Sequence, residues 1–347
     1  MPDIHSVAKE AGVSISTVSY VMSGKRSISE PTKKRVFEAV ERLGYQPDMR
    51  AKMLASGRTH LLAVSQPFRG VTDALAYMTF VLETSLAARE EGFDVILLTD
   101  SDPDSGITRV AGSGLAEAVI ALDVAPDDKR VKQARDGKIP FVFIGIPDDT
   151  KGLTCVDFDF ERAAAMATAT MAGMGHKRLT LVGQPTEFYT FSNFAPRVRD
   201  SFTSTCEKLC IESDIISPSQ GFLGDSVAEA LEQGTTGFVL HCLDEDLLRT
   251  LRAIDRAGLK VPDDVSVICV APNMSTARLD QPLDSLPLRP AETCREAISL
   301  ALSGIGENAE QNLEPGVHLI EPVYMPAGSV AAPPETSQPL VKRFDDR

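Results

Sequence analysis

The side chains best suited to bind a polyanion lie between residues 14 and 29, close to the N-terminus. Hydroxyl groups and cations are concentrated there, and both kinds of group bind phosphate oxygens in protein–DNA complexes. The residues with this chemistry are Ser14, Thr17, Ser19, Lys25 and Arg26. A chain with a net charge of −14 therefore begins with a segment suited to phosphates.

Charge is divided unevenly along the chain. Residues 1–58 contain ten Lys and Arg against six Asp and Glu, a net charge of +4, so the remaining residues carry −18. Such asymmetry indicates that the basic part meets a polyanion while the acidic part has another role. Charge alone leaves a solvated basic surface as the alternative.

Helix signals on either side of the basic stretch predict three short helices. Asp3 and Ser14 can cap the first two helices, and Pro31 lies in the first turn of the third. Gly12 and Gly44 can end the first and third helices because glycine adopts the left-handed conformation at little cost.

The short connection between the first two helices predicts a helix-turn-helix, which places its second helix in the major groove of DNA. With Val18 and Val21 turned inward, the opposite face presents Ile15, Ser16 and Tyr20. We expect these three side chains to face base edges while the hydroxyls and cations contact phosphates. A small helical bundle with a basic face is the alternative interpretation.

After residue 58, strand-like segments alternate with helical ones, which predicts parallel sheets covered on both faces. The first set of strands is predicted at 61–67, 94–100, 116–122 and 140–145, and the second at 178–183, 237–242 and 265–271. Two sets predict two lobes with a cleft between them. Ligands bind at the carboxyl ends of parallel strands, so we expect the loops there to line the cleft.

Several functional classes are disfavoured by the sequence. No stretch has the roughly 18 consecutive apolar residues of a membrane span, and the N-terminus lacks a secretory pattern, so we expect a cytoplasmic protein. The cysteines and histidines lack metal-like spacing, and no nucleophile or phosphate-binding motif occurs. We therefore predict no catalytic residue, metal or cofactor. An enzyme on the same scaffold and a binding protein without a role at DNA are the alternatives.

Three stretches resemble the N-terminal domain of the lactose-repressor/galactose-repressor family of bacterial transcription regulators. They read VAKEAGVSISTVSYVMSG from residue 7, ISEPTKKRVFEAVERLGYQP from residue 28 and RAKMLASGRT from residue 50. The resemblance implies a homodimer on a near-palindromic, double-stranded operator. It also implies that Leu54, in a hinge helix formed on DNA, enters the minor groove and kinks a base step. Further DNA contacts implied by the family are Ser29, Arg50 and Ala51.

The same family has a two-lobed core like that of periplasmic sugar-binding proteins. DFDFERAAAMATATMAGMGHKRLTLVG from residue 157 and GLKVPDDVSVI from residue 258 resemble it. The predicted fold is an all-α helix-turn-helix headpiece and hinge helix, followed by an α/β core of two lobes with parallel sheets. The predicted boundaries are 1–46 for the headpiece, 47–58 for the hinge helix, 59–330 for the core and 331–347 for a disordered tail. Within the core, lobe 1 takes about 59–157 with 288–318, and lobe 2 about 158–287 with 319–330.

Candidate effector-binding residues follow the predicted strands. By resemblance, Asp244 matches the acid that binds effector hydroxyls in the family, although Asp at this position is also suited to cap a helix. The loop at 187–194 is rich in aromatic rings, which stack on sugars or bases but more ordinarily form hydrophobic core. The candidates besides Asp244 are Phe188, Tyr189, Phe191, Arg197, Gln66, Arg69 and Asp73.

This sequence departs from the family at several cleft positions. Leu243 stands where the family usually has Asn, and Gly145 where it often has Asp. Residues 269–272 read CVAP in place of Gly-Phe-Asp-Asp, and Arg197 is out of register with the family's effector-binding arginine. The changes at Gly145 and at residues 269–272 remove polar groups from the cleft.

The sequence thus predicts a DNA-binding repressor of carbohydrate uptake or catabolism genes that a small sugar releases from its operator. A purine or nucleoside effector acting as a corepressor is the alternative within the same architecture. The predicted partners are operator DNA, the small-molecule effector and a second copy of the chain, with no membrane.

Overall fold

The computed structural model describes residues 2–23, 26–45, 58–67, 74–100, 103–218, 222–305 and 315–335. The chain forms two compact units, which comprise residues 1–59 and 60–347. Within the described ranges, no helix is both long and apolar enough to cross a membrane.

The first unit contains the headpiece, whose helices pack around a small apolar core. Its helices are α1 (Ile4–Ala11), α2 (Ile15–Ser23) and α3 (Glu30–Leu43). Val7, Val18 and Val36, one from each helix, are buried together, and their burial favours this packing of the helices. Asp3 accepts a hydrogen bond from the backbone of the first turn, and Gly12 ends α1 with a left-handed φ of 63°. These contacts are the ones that the sequence predicts for a helix-turn-helix.

Lobe 1 of the second unit is built on a six-stranded parallel sheet with the strand order β11-β5-β4-β3-β1-β2. The strands are β1 (Leu61–Ser65), β2 (Asp94–Leu98), β3 (Ala118–Ala121), β4 (Phe141–Ile144), β5 (Thr154–Phe158) and β11 (Gly316–Ile320). The helices are α4 (Ala74–Glu90), α5 (Pro103–Gly112), α6 (Arg130–Asp136) and α12 (Pro290–Ser303). Helices α4 and α12 cover one face of the sheet and α5 covers the other. Both faces of β3 and β4 are therefore buried.

Lobe 2 is built on a five-stranded parallel sheet with the order β10-β9-β8-β6-β7. The strands are β6 (Arg178–Val182), β7 (Glu212–Ile216), β8 (Gly237–Leu240), β9 (Ser266–Val270) and β10 (Asp284–Leu286). The helices are α7 (Phe160–Gly173), α8 (Phe188–Phe191), α9 (Phe194–Lys208), α10 (Leu223–Glu232) and α11 (Asp244–Arg256). Helices α7 and α9 pack on one face of the sheet, and α10 and α11 pack on the other. The two sheets confirm the predicted fold class.

The path of the chain between the lobes puts three connections beside the cleft. The chain enters lobe 2 between β5 and α7, returns to lobe 1 between β10 and α12, and reaches lobe 2 again after β11. Residues after β11 pair with lobe 2, because Met325 forms an antiparallel bridge with Ser285 of β10. The lobes are therefore joined side by side by short segments.

Residues at the start of the predicted tail are held by lobe 2. The backbone of Ala331 donates to Ser266 Oγ at 3.0 Å, and its carbonyl accepts from Ser266 Oγ at 3.1 Å and contacts His176 Nε2 at 3.0 Å. The ordered chain thus extends past the boundary expected at residue 330, because these hydrogen bonds fix Ala331 to β9. Residues 336–347 of the predicted tail lie outside the described residues.

A buried arginine joins the carboxyl ends of the central strands of lobe 1. Arg130 pairs with Asp128 through Nε at 2.9 Å and Nη2 at 2.7 Å, and both side chains are almost fully buried. Its guanidinium also donates to the carbonyl of Ser65, at the end of β1, and to that of Asp123, just after β3. The burial of this charge is compatible with folding because most of its donors are satisfied.

We predict that Arg130→Met lowers the free energy of unfolding by about 3–5 kcal/mol, because it leaves the Asp128 carboxylate buried without its partner. The measurement is urea unfolding followed by circular dichroism. Lys132→Met, at an exposed position on the same helix, is the control and should change stability by less than about 0.5 kcal/mol. Similar small effects for both variants would contradict a structural role of the buried pair.

Candidate DNA-binding surface and ligand cleft

The N-terminus of α2 combines a side-chain cap with the partial positive charge of a first helical turn. Ser14 Oγ accepts from the backbone N–H of Thr17 at 3.1 Å and lies 2.8 Å from Thr17 Oγ1. This cap begins α2 directly after the turn at Gly12. The first turn of a helix carries partial positive charge, so the two hydroxyls lie where a phosphate is favoured.

The outward face of α2 presents the residues that the sequence predicts to contact bases. Ile15 is 41% exposed and Tyr20 is 37% exposed, whereas Val18 between them is fully buried. Ser16 and Ser19 are exposed on the same helix. An exposed isoleucine and tyrosine on a small, well-packed domain offer apolar contact to a thymine methyl group and a hydroxyl to a base edge.

Basic and hydroxyl groups lie beside this face. The guanidinium of Arg26 lies 5.7 Å from the centre of the Tyr20 ring, which ties a cation to the exposed aromatic side chain. Ser29 is exposed, and its Oγ lies 3.0 Å from Thr32 Oγ1 at the start of α3. The remaining predicted DNA contacts, Lys25, Arg50, Ala51 and Leu54, lie outside the described residues.

A cavity of about 120 Å³ lies between the two lobes of the second unit. Carboxyl ends of strands from both sheets form its walls. Asp123 and Gly145 follow β3 and β4, while Gln184, His241 and Ala271 follow β6, β8 and β9. The cavity therefore occupies the position at which open parallel sheets bind their ligands.

Aromatic rings form much of the cavity lining. The rings of Phe160 and Phe194 are stacked with their centres 5.3 Å apart, and both meet the His241 imidazole edge to face at 6.0 and 5.6 Å. Burial lowers the pKa of His241 to about 3, so the ring is neutral near pH 7. Other rings in the lining are those of Tyr77, Phe80, Phe158 and Phe188.

Two carboxylates reach the cavity from lobe 1. Tyr77 donates its hydroxyl to Asp123 Oδ1 at 2.6 Å. Burial raises the pKa of Asp157 to about 6, although Arg197 opposes this shift by pairing with the carboxylate. Arg197 also pairs with Glu161 at 2.6 Å and lies behind Asp157, outside the cavity lining. The predicted effector contact Arg197 therefore orients and neutralises a cavity carboxylate.

Backbone conformation and local crowding explain a glycine that departs from the family pattern. Gly145 of lobe 1 has a φ of 127°, which other residues rarely adopt. A Cβ at this position would lie 2.8 Å from Nδ2 of Asn193, at the start of α9 in lobe 2. It would also lie 2.8 Å from Cβ of Val124 in lobe 1, so an Asp here would clash with both neighbours.

The aromatic segment that the sequence singles out is divided between cavity and core. Phe188 lines the cavity, whereas Phe191 packs against Phe188 with ring centres 5.1 Å apart. The Tyr189 hydroxyl lies over Gly183, and its ring faces the guanidinium of Arg199 at 5.2 Å. Of the candidates Phe188, Tyr189 and Phe191, Phe188 thus lines the cavity, as does Phe194 at the end of the same segment.

Asp244 and Gln66 are not among the residues that line the cavity. Asp244 Oδ1 accepts from the backbone N–H of Met274 at 3.2 Å, and the neighbouring Leu243 lines the cavity and occupies the cap position of α11. The carboxylate therefore contacts the loop after β9. Gln66 is buried at the end of β1 and donates to the carbonyl of Pro67 at 3.3 Å. The last two predicted effector contacts, Arg69 and Asp73, lie outside the described residues.

The polar side chains of the cavity lining that the sequence prediction lacks include Asp123, Asp157, Gln184 and His241. The sequence holds a usable signal for three of these four, since Asp123 directly follows the predicted strand at 116–122. Gln184 directly follows the predicted strand at 178–183, and His241 lies at the end of the one predicted at 237–242. The general rule for parallel sheets selects all three positions without any family comparison.

Comparison with known proteins finds one matching family pattern in each of the two units. The pattern of bacterial regulatory proteins of the lacI family matches residues 3–48. The pattern of the periplasmic binding protein-like domain matches residues 168–324.

Similar proteins extend over most of the chain. The HTH-type transcriptional regulator AglR of Rhizobium meliloti is 27% identical over 298 residues, which cover 81% of this chain and 82% of AglR. The structure of the lac repressor dimer bound to operator and an anti-inducer has a TM-score of 0.76 and 20% identity, covering 95% of this chain and 99% of that one. The complex of the regulator CelR with cellobiose has a TM-score of 0.62 and 21% identity, covering 95% and 100%.

These matches agree with the geometry of the two units. The helix-turn-helix carries an exposed face suited to DNA, and the core has the two-lobed fold of the solved regulators. The chain is thus similar, over most of its length, to DNA-binding transcription regulators of the lacI family.

Proposed function

We propose that this regulator represses genes of carbohydrate uptake or catabolism and leaves its operator when a small sugar binds between the lobes. The observation that carries the proposal is the cavity, which combines aromatic faces with carboxylate, amide and imidazole groups. Such a lining suits a ring with apolar C–H faces and hydroxyl edges. CelR, a regulator of similar fold, forms a complex with cellobiose, which supports a sugar effector.

On the DNA side, a homodimer of the chain reads the two halves of a near-palindromic operator. Ser14 and Thr17 hold phosphates at the N-terminus of α2, which fixes the register of the helix in the groove. Ile15, Ser16 and Tyr20 read base edges, and Leu54 of the hinge helix enters the minor groove. A regulator that acts on bacterial DNA in this way works in the cytoplasm.

On the effector side, a sugar that contacts both lobes favours one arrangement of the lobes over others. The chain crosses between the lobes in short segments, so a change in their angle requires little of each lobe's interior to move. The effector shifts the population of the regulator away from the operator-binding state. A purine or nucleoside corepressor, the alternative from the sequence, gains no support from the relatives named above.

The operator is found by binding sheared genomic DNA to the full-length protein and sequencing the enriched fragments. We predict that Tyr20→Ala lowers affinity for this operator by about 1–3 kcal/mol, because a base contact is lost. Fluorescence anisotropy on operator and on random duplex measures the change. Phe37→Ala, on the exposed surface of α3, is the control. An equal loss on both duplexes for Tyr20→Ala would contradict base readout by α2.

We predict that Leu54→Ala loses specific operator affinity and keeps its salt-dependent affinity for random DNA, because a wedge in a base step acts only at the operator. The measurement is the dependence of both affinities on salt concentration. Parallel losses on the two DNAs would refute the hinge assignment.

The effector is sought by adding neutral mono- and disaccharides to the protein–operator complex and following its dissociation by anisotropy. For the sugar that releases the complex, we predict that Phe194→Leu raises the half-maximal concentration about fivefold, because the stacking face is lost while the volume is retained. Phe222→Leu, in an exposed position of lobe 2, should leave that concentration unchanged. Release without any dependence on Phe194 would argue against the cavity as the effector site.

A further inference from the structure

Two polar side chains in the cavity lining have hydrogen-bonding capacity that no described residue fills. Gln184 is 5% exposed and His241 is 3% exposed, and both line the cavity. Within the described part of the chain, Gln184 Oε1 accepts no hydrogen bond. The same ranges contain no hydrogen-bond partner for the imidazole of His241, which contacts the rings of Phe160 and Phe194. Buried polar groups are ordinarily hydrogen-bonded, so both are available to a ligand.

The two side chains belong to neighbouring strand ends and can contact one ligand. The backbone N–H of His241 donates to the carbonyl of Val182 at 2.9 Å, which joins the ends of β8 and β6. Gln184 follows Val182 by two residues on the same edge of the sheet. A ligand that rests on the adjacent aromatic rings therefore meets an amide and an imidazole together.

The charges around the cavity select against anions. Among the described residues that line it, the charged side chains are the carboxylates Asp123 and Asp157, with no Lys or Arg. The nearby guanidinium of Arg197 is bound to Asp157 and Glu161, and the imidazole of His241 is neutral. An anionic ligand would meet two carboxylates without gaining a cation, and in a partly buried site that repulsion is poorly screened.

The hydrogen-bonding chemistry points in the same direction. The Gln184 carbonyl oxygen needs a donor, and the neutral His241 ring offers one donor and one acceptor. A sugar hydroxyl donates and accepts at once, so adjacent hydroxyls on one ring can satisfy both side chains. A phosphate dianion or carboxylate placed against Gln184 has only acceptors and leaves the Gln184 oxygen unsatisfied.

We infer that Gln184 and His241 are the specificity-determining pair that binds the effector's hydroxyls, and that beside the carboxylates of Asp123 and Asp157 they select an uncharged sugar over a sugar phosphate or sugar acid. The inference rests on the proposed function, since it takes the effector to be a sugar. It adds that this sugar is uncharged, and it names the residues that recognise it.

Direct binding to the full-length protein tests the inference without DNA. Isothermal titration calorimetry with glucose, maltose, cellobiose and melibiose, beside glucose 6-phosphate and glucuronate, gives the affinity for each charge class. We expect at least one neutral sugar to bind and both anions to bind at least tenfold more weakly. An anion that binds as tightly as the best neutral sugar overturns the inference and leaves a sugar effector in place. Failure of every sugar to bind overturns the sugar effector as well.

Variants separate hydrogen bonding from packing. His241→Phe keeps the ring contacts with Phe160 and Phe194, whereas His241→Gln keeps a donor and an acceptor. We expect His241→Phe and Gln184→Leu each to weaken binding of the neutral sugar at least fivefold, and His241→Gln to retain more affinity than His241→Phe. Gln233→Leu, at an exposed glutamine after α10, is the control, and thermal melting verifies that each variant is folded. Full affinity in His241→Phe with loss in His241→Gln would show that packing alone matters and would overturn the assignment.

Discussion

The guanidinium of Arg130 is the contact on which the first wall of the cleft depends. It binds the carbonyls of Ser65 and Asp123, so the ends of β1 and β3 cannot separate without exposing a buried charge to apolar surroundings. The Asp123 loop is thereby fixed, and its carboxylate meets the hydroxyl of Tyr77 on α4. A polar network in the interior of lobe 1 thus sets the position of a cavity carboxylate.

Lobe 2 supplies the opposite wall by a different means. Stacked rings of Phe160 and Phe194 support His241, and the edge of the sheet places Gln184 beside it. One wall is therefore positioned by hydrogen-bonded charge and the other mainly by aromatic packing. The affinity of a ligand that contacts both walls depends on the distance between them, so its binding favours one arrangement of the lobes. Control of a regulator by a small molecule requires such a dependence.

Local patterns made the headpiece and most of the sheets predictable. Val18 and Gly12 act within a few residues of chain, so their roles follow from caps and periodicity. Each of the seven predicted strand segments contains a strand, whereas β5, β7, β10 and β11 were not predicted. Strand β10 has three residues, and β7 and β11 alternate between partly buried and exposed positions, so none has the continuous apolar run of a central strand.

The cavity was less predictable, because long-range contacts decide which side chains reach it. Asp244 stands next to Leu243, yet the loop after β9 returns to it through Met274 and takes its carboxylate away from the lining. Arg197 is likewise drawn to Asp157 across 40 residues of sequence. Conversely, the position of His241 at a strand end is visible in the sequence, but its apolar neighbours fit an ordinary core histidine equally well.

The central claim is that sugar and operator compete through the conformation of one regulator, and thermodynamic linkage tests it directly. The affinity of the sugar is measured by calorimetry for the free protein and for the protein saturated with operator. The account predicts that operator weakens sugar binding by the same factor by which the sugar weakens operator binding. Equal sugar affinity in both states would contradict control of DNA binding by the cleft.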